Sequence, residues 1–256
     1  VTLRLSTALR DHVNQNGSIK SALQNGQILI YTGAQPATAD AAPTGTLLAT
    51  ITASSASRTA EVLATGTITL SGSSGTVSAV SVNGVSVIDT GVPFNSTLTQ
   101  TAADLAAEIN NAASSPDYTA TSSGAVVTVK AKRGTGSSVN DFVVAVTATG
   151  MTASVAALAG GVNASNGLKF GTSSSGVLSK LASQVWSGVA GATGTAGWFR
   201  FTGSVADSGV LDSAATEIRL DGAISTSGAQ LNMSSTAITS GATQTISSFP
   251  ITLPTS

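Results

Sequence analysis

Apolar residues in this chain come in short runs, none longer than a β-strand, and Ser, Thr, Gly and Asn punctuate them throughout. That rhythm favours strands and turns over long helices. The sharpest local signal is Asn83-Gly84, set between Val77, Val80, Val82 and Val85-Ser86-Val87. Asn-Gly between β-branched runs predicts a hairpin, because both turn residues must accept positive φ.

Three regions follow. Residues 1–53 begin with Leu5, Leu9 and Val13 at helical spacing, capped by Ser6 or Thr7. Asn16-Gly17 stops that helix, and Ser18 caps a second turn ending at Asn25-Gly26. Strands are predicted at Gln27 to Tyr31 and Thr46 to Ile51, separated by a Pro/Ala loop from Ala34 to Gly45. Residues 54–161 read as a separate unit, entered through the Ser/Ala-rich stretch at Ala53 to Ser57 and left at Gly160-Gly161. It holds β-strands on either side of one helix at about residues 99–113; Thr101 with Asp104 reads as its capping box and Ser115-Pro116 as its stop. Residues 162–256 return to short strands with turns between them, the pattern of a sandwich or barrel. Both tryptophans and two phenylalanines fall between Trp186 and Phe201, which marks that stretch as core.

Residues 1–53 carry too few strands to close a core alone. The economical architecture is therefore one split β-rich domain, 1–53 plus 162–256, interrupted by an inserted α+β, mostly β, domain at 54–161. Insertions are tolerated where the ends of the guest lie close together. The fold class expected is mainly β, sandwich- or barrel-like, with a short N-terminal helix.

Charge narrows the function. Only 9% of residues are Asp, Glu, Lys or Arg, the net charge is −1, and Ser and Thr make up 74 of the 256 residues. A typical soluble domain carries about 25% charged residues. A hydroxyl and amide surface packs against a neighbour without stripping water from ions. The composition therefore suits a subunit of an assembly. With net charge near zero there is no electrostatic case for nucleic acid or an anionic membrane as partner. No run is long enough for a transmembrane helix or a signal-peptide core. The absence of cysteine removes disulfides and thiolate metal sites.

Candidate chemistry is thin. His12 is the only histidine, sits beside Asp11, and is read as a surface or interface residue. Serines abound, yet no nucleophile elbow stands between a strand and a helix. Asp104 and Glu108 lie on the predicted helix, where helix-start electrostatics accounts for them. Gly134-Thr135-Gly136 lacks the Lys-Ser/Thr of a phosphate loop. Lys130, Lys132 and Arg133 form the one basic cluster; Lys130 and Lys132 read as a solvated strand face or an edge charged against strand addition, with a salt bridge to an acidic neighbour as the functional alternative. The sequons at Asn95, Asn163 and Asn232 are what high Ser/Thr density produces. No catalytic, cofactor-binding or metal residue is assigned, and the chain is expected not to be an enzyme.

Leu3-Arg4-Leu5-Ser6-Thr7-Ala8-Leu9-Arg10, Ser21-Ala22-Leu23, Ile28-Leu29-Ile30-Tyr31-Thr32-Gly33 and Pro36-Ala37-Thr38-Ala39-Asp40 resemble the start of a family of small tailed-bacteriophage virion proteins. Gly167 to Phe170, Trp186-Ser187-Gly188, Gly194-Thr195-Ala196, Trp198 to Phe201 and Ser240 to Ile246 look like its second half. The family's usual form runs from the first half straight into the second. Residues 54–161 look like a β-rich module of other phage head and tail proteins, on Ser81-Val82-Asn83-Gly84 and the Ala-rich helix. The resemblance implies a virion structural protein, most naturally a capsid decoration or cement protein assembled in the bacterial host cytoplasm. Its implied partners are the major capsid protein or neighbouring virion subunits and further copies of itself, for instance as a trimer. The alternative is a tail or fibre protein, including a host-surface carbohydrate-binding module.

Overall fold

A computed structural model describes residues 3–207, 209 and 216–252. The protein is mainly β, with antiparallel pairing in nearly every sheet. It divides into two compact units: Val1–Ala60 with Ala164–Ser256, and Glu61–Asn163.

The split unit is built on a nine-stranded sheet. Its centre runs Arg219–Ser225, Gly194–Thr202, Gln27–Thr32, Leu47–Ala53, Trp186–Val189 and Thr243–Ile246, each strand paired with the next. Arg4–Leu5, Leu231–Asn232 and Ala237–Ile238 add short pieces at its margins. Pro250–Thr252 pairs separately with Val177–Ser179. The sequence also suggests a C-terminal strand from Thr245 to Leu253; it is two strands, interrupted before Pro250, and Leu253 lies outside the described residues. Gly167 to Phe170 makes only isolated bridges, Gly26 with Leu168 and Phe170 with Lys180.

Alternation along Gly194–Thr202 gives the sheet two different faces. Phe199 and Phe201 point into an apolar core and sit opposite Ile30 and Ile28. There they meet Phe170, Trp186 and Phe249, with ring centroids 5.4 to 6.4 Å apart. Trp198 is equally buried but lies on the other face, stacked on Tyr31 at 4.6 Å. Trp186, Trp198, Phe199 and Phe201 are all buried, as the sequence led one to expect, and period 2 places Trp198 on the opposite face from Phe199 and Phe201.

Ser6 caps the first helix, Thr7–Asp11, by accepting a bond from the Leu9 N–H. The helix runs on as one π turn, His12–Asn16, and ends at Gly17. Ser18 and Ser21 cap each other at the start of Ile19–Leu23.

The segment 54–60 belongs to the split unit, which moves the junction from the expected residue 54 to residue 61. Its Ala/Ser composition resembles a linker, yet it is pinned. Ser54 N–H donates to Val185 O at 2.8 Å, and Arg58 donates to Asn25 O, Gly203 O and Ser204 O. Thr59 pairs with Ser165. In the inserted unit Val62 pairs with Val162 in the same way. The entering and leaving strands thus run side by side, the geometry an insertion requires.

The inserted unit holds two four-stranded sheets and one helix around a single apolar core. One sheet runs Thr152–Ala159, Thr65–Ser71, Val126–Ala131, Tyr118–Ser123. In the other, Thr76–Val82 is flanked by Val144–Thr149 on one side and by the short pieces Val85–Ser86 and Val92–Pro93 on the other. The hairpin turns at Asn83 (φ 48°) and Gly84 (φ 82°), the positive pair that Asn-Gly supplies. The helix spans Leu98–Asn111 and buries Ala102, Leu105, Ala106 and Ile109. Its cap is Thr97, which accepts from Gln100 N–H; Thr101 lies inside the helix and donates back to Thr97 O. Thr152–Ala159 was not expected as a strand, since its Ala-rich sequence shows no alternation of polarity.

Candidate functional site

The buried ionic groups of this chain lie in two places. The larger lies on the Trp198 face of the split unit. Arg200 and Asp221 are cross-strand partners, 1% and 0% exposed, and meet through two bonds of 2.8 Å from Nε and Nη2. Arg219, fully buried, donates to both carboxylate oxygens of Asp207 at 2.7 Å and also to Glu217. The two guanidinium groups reach on to the loop 34–45: Arg200 donates to Ala41 O and Arg219 to Asp40 O. Arg4 donates to Pro36 O of the same loop. Asp40 in turn accepts from the Thr7 N–H and hydroxyl, which fastens the loop to the first helix.

Electrostatics follows from this packing. Burial raises the Asp221 carboxyl above the ordinary carboxylate range, against the opposing pull of Arg200. Asp207 is also pushed up by burial, but its bonds from Arg219 and from the Gly209 N–H outweigh that, and it sits below the ordinary range. Burial raises the Tyr31 hydroxyl as well. Trp198 Nε1, Arg200 Nη1 and Thr202 Oγ1, on one strand and one face, are buried without a hydrogen-bond partner among the described residues. Arg200 also rests against the Trp198 ring, 5.5 Å from its centroid. Asp221, Asp207 and Glu217 are each engaged by a guanidinium, and the same guanidinium groups hold the loop on the sheet. Sequence reading missed it, although Trp198-Phe199-Arg200-Phe201 and Ile218-Arg219-Leu220-Asp221 both alternate ionic with apolar residues.

The second gathering is Glu61 in the inserted unit. Its side chain is 3% exposed and accepts from the Gly134 N–H at 2.7 Å and the Gly136 N–H at 3.0 Å. Gly134 (φ 87°) and Gly136 (φ 47°) give the backbone the positive dihedrals that turn both N–H groups to one point. The Gly134-Thr135-Gly136 loop does cradle an anion, and that anion is the chain's own carboxylate. Burial pulls Arg133 down and the nearby Glu61 charge pulls it back up.

His12 Nε2 lies 2.9 Å from Ser21 Oγ. Ser21 already gives its proton to Ser18 O at 2.9 Å and accepts from the Ser18 N–H. Ser21 thus serves the helix cap, and His12 lies beside it at that cap. Lys130 ends an interior strand, paired on both sides, and Lys132 lies just beyond it. Both are exposed, so the solvated-face reading applies and the edge reading is overturned. Asp104 accepts from Asn95 and Gln100, which hold its carboxyl low. Glu108 lies in the second half of the helix, where helix-start electrostatics does not reach. It accepts the Thr90 and Asp89 N–H groups, which hold its carboxyl low and staple that loop to the helix.

The sequon asparagines have structural partners. Asn95 bonds Asp104, Asn163 accepts the Ser137 N–H, and Asn232 accepts the Ala229 N–H. Among the described residues, no group of three His, Cys, Asp or Glu side chains is placed to hold a metal ion. No helix of the described residues is long and apolar enough to cross a membrane. All ten aromatic rings are buried or half-buried, so none forms an open stacking platform. Comparison with family models, with curated proteins and with solved structures finds no match.

Proposed function

We propose that this chain is a non-enzymatic structural subunit of a tailed-bacteriophage virion, a decoration or cement protein that stabilises the head shell. The observation that carries the reading is where the charge sits. The chain has only 23 ionic side chains, 11 basic and 12 acidic, besides its one histidine. Arg200, Arg219, Asp221 and Glu61 are buried. Asp207 and Glu217 are turned onto Arg219 with 10% and 13% exposure. The outer surface is therefore poorer in ions than the composition alone implies. Hydroxyl and amide surfaces meet a neighbouring subunit at little desolvation cost, and many shape-matched neutral contacts then supply the affinity. The partner in this reading is the major capsid protein or an adjoining virion subunit.

The tail or fibre alternative, with carbohydrate binding, has less support. Sugar sites use exposed aromatic rings, and every ring here is at least half-buried. Quantitative mass spectrometry of purified virions tests the reading. A copy number comparable to that of the shell protein is expected. A low copy number matching a tail component, or absence from the particle, would overturn it.

A further inference from the structure

Natural sheets protect their edges, because an unpaired row of N–H and C=O groups accepts any passing strand. Each sheet of the inserted unit has one protected edge and one bare edge. In the first sheet, Tyr118–Ser123 is capped by the helix at Ala120: Asn110 donates its Nδ2 to Ala120 O and accepts the Ala120 N–H, as a neighbouring strand would. In the second, the margin is two short pieces, Val85–Ser86 and Val92–Pro93, one ending in proline. The bare edges are Val144–Thr149 and Thr152–Ala159, consecutive in the chain.

The outermost strand, Thr152–Ala159, is bonded to Thr65–Ser71 on one side only. Leu158 is the exception, since its N–H and C=O bond Phe142 and Asp141. From Thr152 to Ala157 every residue except Ala153 is exposed, including Val155 at 43%. Nearby Val143 is 61% exposed. Residues 142–168 contain neither a charged residue nor a proline. Charge, proline, cover and bulges are the usual protections; among the described residues, 152–156 carry none of them, and the ladder shifts register only beyond Ala156.

We propose that the Thr152–Ala157 edge is a self-association surface, pairing antiparallel with the same edge of a second copy of this chain. Three observations fix the occupant. Unpaired backbone groups ask for another strand. The edge is neutral over its whole length, so it matches itself without repulsion. An antiparallel pair of identical strands closes on a two-fold axis, so this edge is used up in a dimer and does not itself propagate. A register centred on Val155 sets Ser154 against the partner's Ala156, small residues on both sides. Strands of this length give an interface at the small end, below about 1,200 Å², so association is concentration-dependent. The surface gives the proposed virion role a means of self-contact but does not depend on it. Sedimentation of the purified chain tests the edge, and counting copies in virions tests the role.

The experiment is sedimentation equilibrium of the full chain over a wide concentration range. Wild type should move from 25.0 kDa towards twice that mass. Ser154→Lys/Ala156→Lys alters two exposed positions and sets lysines against each other across the two-fold, so association should weaken about tenfold or more. Ser122→Lys, on the protected edge, should associate like wild type. Hydrogen exchange of wild type at low and high concentration is the second readout, with protection at residues 153–157 expected to rise with concentration. It decides the matter if the lysine pair unfolds the unit. A wild type that stays at 25.0 kDa throughout overturns the proposal. So does a double-lysine variant that associates as tightly as wild type, or protection that ignores concentration.

Discussion

Substituting Asp221 by Asn keeps the shape of the side chain and removes the charge that Arg200 faces. Arg200 is 1% exposed, and both of its side-chain bonds to Asp221 are 2.8 Å long. After the change a guanidinium remains buried without its counter-charge, with the amide oxygen of the new Asn and Ala41 O as neutral acceptors, and one of its two bonds to position 221 now faces an NH2 donor. Breaking a buried pair in this way costs about 3–5 kcal/mol. Arg200→Met strands the Asp221 carboxylate instead and should cost a similar amount. The double variant Arg200→Met/Asp221→Leu removes both charges, so it should be less destabilised than either single variant. Tryptophan fluorescence is the assay, because Trp186 and Trp198 both lie in the split unit and the inserted unit has none. At a urea slope of about 2 kcal/mol per molar, the single variants should lower the midpoint by roughly 2 M. A single variant within about 1 kcal/mol of wild type would refute the reasoning, as would a double variant worse than the sum of the two.

Other outcomes follow from the same packing. Trp198→Ala should destabilise the split unit by about 3–5 kcal/mol in urea unfolding followed by Trp186 fluorescence, since a fully buried ring is lost. Glu61→Ala removes two charge-assisted bonds to the Gly134 and Gly136 N–H groups, and calorimetry of the inserted unit should register a loss of about 3 kcal/mol. Asp104 and Glu108 both have lowered folded-state pKa values, so the stability they add is complete above the ordinary values of 3.8 and 4.5 and is lost as pH falls through the folded ones. Melting of the inserted unit against pH should show that acid-side decline, and Glu108→Gln should flatten part of it. Residues 61–163 expressed alone should melt in one cooperative transition, and the remainder joined by a short Gly/Ser bridge should keep its tryptophans buried; an unfolded remainder would contradict the split architecture.

Local chemistry was readable wherever it dictates backbone conformation. Asn83-Gly84 announces its hairpin, Ser6 and Ser18 announce two helix starts, and Gln27 to Tyr31 announces a buried strand. What tertiary context decides was harder to read. Thr152–Ala159 has the composition of a helix or a loop and becomes a strand because Thr65–Ser71 offers a partner. The helix start moved to Thr97 because Thr101 turns its hydroxyl inward to Thr97 O. The segment 54–60 looked like a linker because its anchors, the Ser54 N–H, Arg58 and the Thr59 bridge, all reach partners distant in sequence. The ionic cluster was hidden for a related reason: Arg200, Arg219 and Asp221 come together only when their strands pair, and nothing local tells that the far face of the sheet will be covered by the loop 34–45. Gly134-Thr135-Gly136 was correctly separated from a phosphate loop, but its true occupant, Glu61, lies 73 residues away along the chain.

Imaging of intact virions, with this chain located in the density, bears most directly on the claim that a surface poor in ions lets this chain meet its neighbours. Repeated copies seated on the head shell through hydroxyl- and amide-rich faces are the expected result. A particle without the chain, or contacts formed mainly by paired charges, would contradict it.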